Sequence, residues 1–119
     1  MKHLLLAAAC ALPLPALSDP ARVTAVEVAP GAEGWTFRVT LAHDDTGWDD
    51  YADGWRVEAT DGTILGECPL LHPHVDEQPF TRALAGVAIP EELSEVVIRA
   101  RTSVEGWSDE TSAPVSLSR

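Results

Sequence analysis

Basic residues are almost missing from this sequence. Lys2 is the single lysine, and from residue 19 onward seven arginines stand against nineteen carboxylates, a net charge near −12. Nucleic acids and anionic membrane surfaces are bound through basic patches, so neither is an expected partner; the balance suits a solvated exported protein or one that meets cations. Cysteine is as scarce. Cys10 and Cys68 are the two present, and because Cys10 falls in the leader described below, no internal disulfide can form in the remainder. A lone Cys68 is by default a buried small hydrophobe, with metal ligation or pairing to another chain as its other uses. No apolar run reaches the ~20 residues that a membrane-spanning helix needs. Catalytic frames are missing too: there is no G-x-S-x-G elbow, no glycine-rich phosphate loop and no H-E-x-x-H pair. Adjacent acids such as Asp76-Glu77 and Glu91-Glu92 point to opposite sides of an extended chain and make poor acid–base couples. The expectation is a protein that binds rather than catalyses.

What is present begins with a leader. Met1-Lys2-His3 is a short basic start, and Leu4 to Leu17 is apolar but interrupted by Pro13 and Pro15, which would break a core helix. Ala16 and Ser18 supply the small residues of a cleavage site before Asp19. Residues 1–18 therefore read as a cleaved signal peptide and 19–119 as one domain, periplasmic or secreted. Ala7-Ala8-Ala9-Cys10 loosely resembles a lipoprotein box. However, Ala7 stands where leucine is usual and few residues precede Cys10, so cleavage before Asp19 is favoured over lipid anchoring. The remaining ~100 residues suffice for a single modest core.

From there the chain reads as strands and turns. Arg22 to Val28 is rich in β-branched residues and stops at Pro30-Gly31. Trp35, Phe37, Val39 and Leu41 alternate with Thr36, Arg38 and Thr40, the clearest period of two in the chain. Continuing that register puts His43 on the apolar side at the strand's end. Asp44 to Gly54 holds five aspartates without the spacing of a calcium hand; it reads as a solvated acidic turn with Trp48 and Tyr51 folded onto the end of the domain. Trp55 to Ala59 alternates again, and Asp61-Gly62 signals a tight turn into Thr63 to Gly66. Phe80 to Leu84, Val96 to Arg101 and Pro114 to Leu117 supply further strands, with one helical turn expected at Glu91-Glu92-Leu93. The predicted core is Val26, Val28, Trp35, Phe37, Val39, Leu41, Trp55, Val57, Ile64, Leu84, Ile89, Val96, Ile98 and Val115.

Leu71 to Arg82 is the densest polar stretch, and His72-Pro73-His74 is its centre. Pro73 fixes its own φ and pushes His72 toward extended geometry, and residues two apart in an extended chain face the same side. The two imidazoles are thus presented together, a half-site for copper or zinc. His43 and Cys68 would join His72 and His74 if the loops carrying them share one end of the domain. The competing reading is structural: rings bonded to backbone or to Asp76 and Glu77, Arg82 paired with Glu77, and Gln78 satisfying loop carbonyls.

Val97 to Val115 runs V-I-R-A-R-T-S-V-E-G-W-S-D-E-T-S-A-P-V, and this stretch resembles the last two strands of a fibronectin type III domain. Trp55-Arg56-Val57 is similar to the aromatic-x-valine of that family's third strand, whereas Glu95 and Val96 stand where those domains carry a corner tyrosine. The resemblance implies an all-β, single-domain, Fn3/Ig-like antiparallel β-sandwich of about seven strands. Such sandwiches bind through end loops, and the fold itself implies no chemistry. Two functions follow as expectations. One is a small exported metal-binding protein using His72, His74, His43 and Cys68. The other is an exported module that grips a protein or glycan partner through Trp48, Tyr51, Asp76, Glu77, Arg82 and Trp107.

Overall fold

Alternation along Trp35 to Leu41 becomes the buried face of a central strand. In the computed structural model, which describes residues 19–119, this is β2 (Trp35–Ala42), after β1 (Arg22–Ala29). Residues 1–18, read above as a signal peptide, and with them Cys10, lie outside the described residues. β1 pairs antiparallel with β2, from Arg22 opposite Ala42 to Ala29 opposite Thr36. β5 (Phe80–Val87) covers the other edge of β2, with Leu41 opposite Phe80. A second antiparallel sheet is built around β3 (Ala52–Glu58), flanked by β4 (Ile64–Pro69) and β6 (Glu95–Thr102). The last strand of the sequence reading, Pro114 to Leu117, is the short β8 (Val115–Ser116), and β7 (Gly106–Trp107) is an additional short strand before it; both pair with β6. The described residues therefore contain eight strands rather than about seven, in the orders β1-β2-β5 and β4-β3-β6-β7. Between β7 and β8, Ser108 N and Ser112 N still donate to Ala100 and Ile98 carbonyls. The ladder breaks because Ser112 Oγ, not a backbone carbonyl, accepts from Ile98 N, and Pro114 has no N–H to give.

The two inner faces meet in one core. Trp55, Phe37, Leu41, Ile98, Val39, Val57 and Val96 are fully buried, and Trp35, Leu70, Phe80 and Cys68 close its margins. Of the predicted core, Val26, Val28, Leu84, Ile89 and Val115 are partly buried and pack against it. Ile64 is a correction: it is 49% exposed. A register shift sets Glu58 opposite Ile64 while Val57 faces Gly66, so Leu65 is the extra residue and packs inward in its place. A one-residue shift exchanges the faces of a strand.

The Asp61-Gly62 turn forms, with Gly62 at φ +95° donating to Ala59 and Asp61 Oδ1 accepting from Thr63 N. Residues 90–93 make one turn, closed by Leu93 N donating to Pro90 O, and not a helix.

Strand direction decides where function can sit. β2, β4 and β6 end, and β1, β3, β5 and β7 begin, at the same end of the sheets, as the pairs Arg22–Ala42, Leu41–Phe80, Gly54–Pro69 and Ala52–Thr102 require. The residues before β1 and the loops 43–51, 70–79 and 103–105 are therefore neighbours. That end also carries Trp48, Leu71, Val75 and Val104, which are four of the five exposed large hydrophobic residues among those described; Ile64 is the fifth.

Candidate metal centre

His43 follows β2 directly, and the alternation that buries Leu41 buries His43 as well: its side chain is 0% exposed. Its surroundings are polar. Nδ1 lies 2.6 Å from Asp45 Oδ1, and the backbone N donates to Gln78 Oε1 at 3.0 Å. Nε2 is buried without a hydrogen-bond partner, facing Asp19 Oδ2 at 3.4 Å and Asp50 Oδ1 at 3.7 Å. Ligand atoms of these three residues all lie within 4.8 Å of one another, the one such group of three found among the described residues. Donors about 2 Å from a tetrahedral ion stand roughly 3.3 Å apart, close to the distances seen here.

Asp45 holds the arrangement together. Its carboxylate is buried, and besides the His43 ring it accepts from Ala52 N at 2.9 Å and from His74 N at 2.8 Å. Gln78 Nε2 donates in turn to His74 O, so one carboxylate and one amide lock the 43–51 and 70–79 loops together. This corrects the reading of the acidic stretch as a solvated turn. Buried backbone N–H groups must be satisfied, and Asp45 is spent on that. Trp48, in contrast, is 68% exposed rather than folded onto the domain, with Tyr51 half-buried and edge-on to it at 5.6 Å.

The histidines of the 71–82 stretch do sit side by side, with ring centroids 4.6 Å apart. Their chemistry differs from that of His43. His74 is buried and stacked on Phe80 at 4.0 Å, and its Nε2 accepts from Arg82 Nη2 at 2.6 Å. Burial, reinforced by the charges of Arg82 and His72, holds the His74 imidazole below its usual pKa. A guanidinium therefore occupies Nε2; Nδ1 is buried without a hydrogen-bond partner, but it belongs to no group of three converging ligand atoms among the described residues. His72 is exposed, with Nδ1 against Pro73 O. Cys68 is buried, its Sγ 4.0 Å from Ala83 O, and burial pushes its thiol up, partly opposed by Arg82. Cys68, His72, His74 and Arg82 line one shallow cavity of about 290 Å³. The His43 ring is turned to Asp19 and Asp50, so the loops meet while the three imidazoles do not form one ligand set.

Asp76 and Glu77 are exposed, with Glu77 Oε1 3.7 Å from Arg82 Nη2. Trp107 is half-buried beneath Arg56, whose guanidinium carbon stands 4.0 Å from the ring centroid. Beside it Glu58 is buried and bonded by Arg56 Nε at 2.6 Å and Arg99 Nε at 2.8 Å. Burial works to raise the Glu58 carboxyl, but those two arginines outweigh it and the group lies below its ordinary value. This cluster ties β3 to β6 on the outer face of the second sheet.

Asp19, Asp45 and Asp50 are the residues that sequence reasoning missed at this end. His43-x-Asp45 at a strand terminus was the one local signal available for Asp45. Carboxylate-held imidazole is the arrangement by which proteins orient a metal-binding histidine: one ring nitrogen is fixed, leaving the other as donor.

Over 77 residues the chain is 43% identical to a protein of Halomicrobium mukohataei described as "Putative lipoprotein". The match takes in 65% of this chain and 37% of that protein, so the chain spans little more than a third of its relative's length. No family model and no solved structure matches it.

Proposed function

We propose that residues 19–119 form an exported, non-catalytic Fn3/Ig-like binding domain that takes up a Zn(II) or Cu(II) ion at Asp19, His43 and Asp50. The observation that carries the reading is His43 Nε2: buried, without a hydrogen-bond partner and set between two carboxylates, while Asp45 fixes Nδ1. Three carboxylates converging on one imidazole want a cation, and the open side toward Asp19 admits one. One nitrogen and two oxygens suit Zn(II) or Cu(II); no sulfur is present to favour Cu(I). Export is supported by the leader and by the description of the Halomicrobium relative. The Fn3/Ig-like assignment is supported by the strand orders β1-β2-β5 and β4-β3-β6-β7.

Isothermal titration of the exported protein with Zn(II) and Cu(II) tests this. The expected result is one ion per chain, weakened at least about tenfold in Asp50→Asn and lost in His43→Ala, with His72→Ala unchanged. Full uptake by His43→Ala would overturn the assignment. Asp50→Asn removes only a part-exposed carboxylate, so it keeps the test open if His43→Ala unfolds.

A second reading is favoured by the cluster of Trp48, Leu71, Val75 and Val104 at the same end. Exposed apolar residues gathered on one surface mark contact with a protein or glycan partner. Such a partner would be lost on Trp48→Ala with no change in melting temperature; unchanged capture by that variant would remove this reading.

A further inference from the structure

We propose that export processing completes the metal site: hydrolysis before Asp19 frees its α-amine, which becomes the fourth ligand beside the Asp19 carboxylate, His43 and Asp50. The inference rests on the metal reading above and extends it to when the site can fill. The step consumes one water; a leader peptidase of the export route breaks the Ser18–Asp19 bond, Ser18 leaves with a carboxylate and Asp19 keeps the amine. In the unprocessed chain that nitrogen is an amide, whose lone pair is delocalised into the carbonyl and binds a metal only if the amide proton is lost.

Several features converge on this residue. Asp19 is the first residue after the cleavage site read from Ala16 and Ser18, and its carboxylate is already 3.4 Å from His43 Nε2. Three protein donors leave a tetrahedral ion one ligand short. An α-amine and a β-carboxylate on one aspartate close a chelate ring on the same ion, so the second donor costs little additional ordering. Position is constrained as well. Ala21 is buried in the core, Arg22 pairs with Ala42 next to His43, and Pro20, which joins Asp19 to Ala21, has a fixed φ. Pro20 also lacks an amide hydrogen, so Cu(II) cannot abandon the site for the next backbone nitrogen. A surface cavity of about 250 Å³ lined by Asp19, Arg22, His43, Asp44 and Gln78 leaves room at this point. Loading is then gated by compartment: the precursor lacks one ligand, and the exported domain has it.

Lysine scarcity makes the test clean. Lys2 is the only lysine, so in a chain starting at Asp19 the α-amine is the one primary amine, and amine-selective acetylation modifies nothing else. The exported protein would be purified, its mass measured, and Zn(II) and Cu(II) titrated before and after acetylation, with nitrogen couplings read by electron paramagnetic resonance of the Cu(II) form. The mass should show that the exported chain starts at Asp19. Acetylation should weaken binding at least about tenfold and reduce the coupled nitrogens from two to one, and bound Zn(II) should slow acetylation. Equal affinity after acetylation, or equal binding by an exported chain that keeps residues before Asp19, would overturn the inference while leaving the three-residue site standing. No uptake by the unacetylated protein would instead sink the metal reading itself.

Discussion

Replacing Asp45 with alanine is the most informative perturbation of this end of the domain. The carboxylate is buried and accepts three hydrogen bonds, from Ala52 N at 2.9 Å, His74 N at 2.8 Å and the His43 ring at 2.6 Å. Asp45→Ala orphans two buried backbone donors and releases the imidazole. A hydrogen bond to a charged group is worth about 1.5–3 kcal/mol, and an unsatisfied buried donor costs about 1–3 kcal/mol. Simple addition would reach about 6 kcal/mol, but the three bonds share one acceptor and are not additive, and water can enter at a loop end. The expected loss is about 3–4 kcal/mol, a large share of the 5–15 kcal/mol typical of a domain this size. Urea unfolding followed by tryptophan fluorescence reads it directly. The midpoint should fall by about 2 M with an unchanged slope, and Tm by roughly 15–25 °C. Asp45→Asn keeps an acceptor oxygen but turns an NH₂ toward a donor, so about half the loss is expected. In that variant Zn(II) affinity should drop about 10–100-fold, because the His43 ring is no longer oriented. A loss below about 1 kcal/mol in Asp45→Ala would refute the argument that this carboxylate holds the two loops together.

Acid should destabilise the protein in two stages. His74 and Glu58 both lie below their ordinary values of 6.5 and 4.5, so the unfolded chain binds each proton more tightly. The stability each contributes is complete above the ordinary value and is lost as pH falls through the lower folded one. Urea midpoints should therefore begin to fall below about pH 6.5, a stage abolished in His74→Gln, and fall again below about pH 4.5, a stage abolished in Glu58→Gln. A flat midpoint between pH 7 and 5 would remove His74 from the explanation. Gly34→Ala tests the close approach of the turn after β1 to the end of β5. Gly34 has φ +116°, and a Cβ there would stand 2.8 Å from the Gly86 carbonyl carbon. It should cost about 2 kcal/mol or more, against roughly 1 kcal/mol for Gly47→Ala, which meets open space at φ +141°. Equal losses in the two variants would mean that backbone strain alone, without the contact, sets the cost.

Much of the scaffold was legible because alternation is a local consequence of strand geometry. Trp35, Phe37, Val39, Leu41, Trp55, Val57, Val96 and Ile98 were named from pattern alone and are the buried set; the same period placed His43 inward. Ile64 failed for a reason that no periodicity shows, since one extra residue in β4 exchanged its faces. The site was less legible. Pro73 did set His72 and His74 side by side, as residue geometry required, and Gln78 does bond a loop carbonyl. Yet whether an imidazole faces further ligand atoms depends on what approaches it from elsewhere: His43 meets Asp19 and Asp50, whereas Arg82 comes to His74 Nε2 and no group of three ligand atoms forms there among the described residues.

Sequence by itself determined an acidic, lysine-poor chain after residue 18, an all-β pattern, an inward His43 and a Pro-locked histidine pair. Those properties follow from composition and from the two-residue repeat of an extended backbone. Tertiary structure decided the rest. It buried Asp45 in a stretch that looks solvated, because Ala52 N at the start of β3 and His74 N from the 70–79 loop both donate to its carboxylate. It also brought Asp19 to His43 through the Arg22–Ala42 pairing. Donor sets of this kind are made by long-range strand pairing, and a pattern read along one strand cannot contain them.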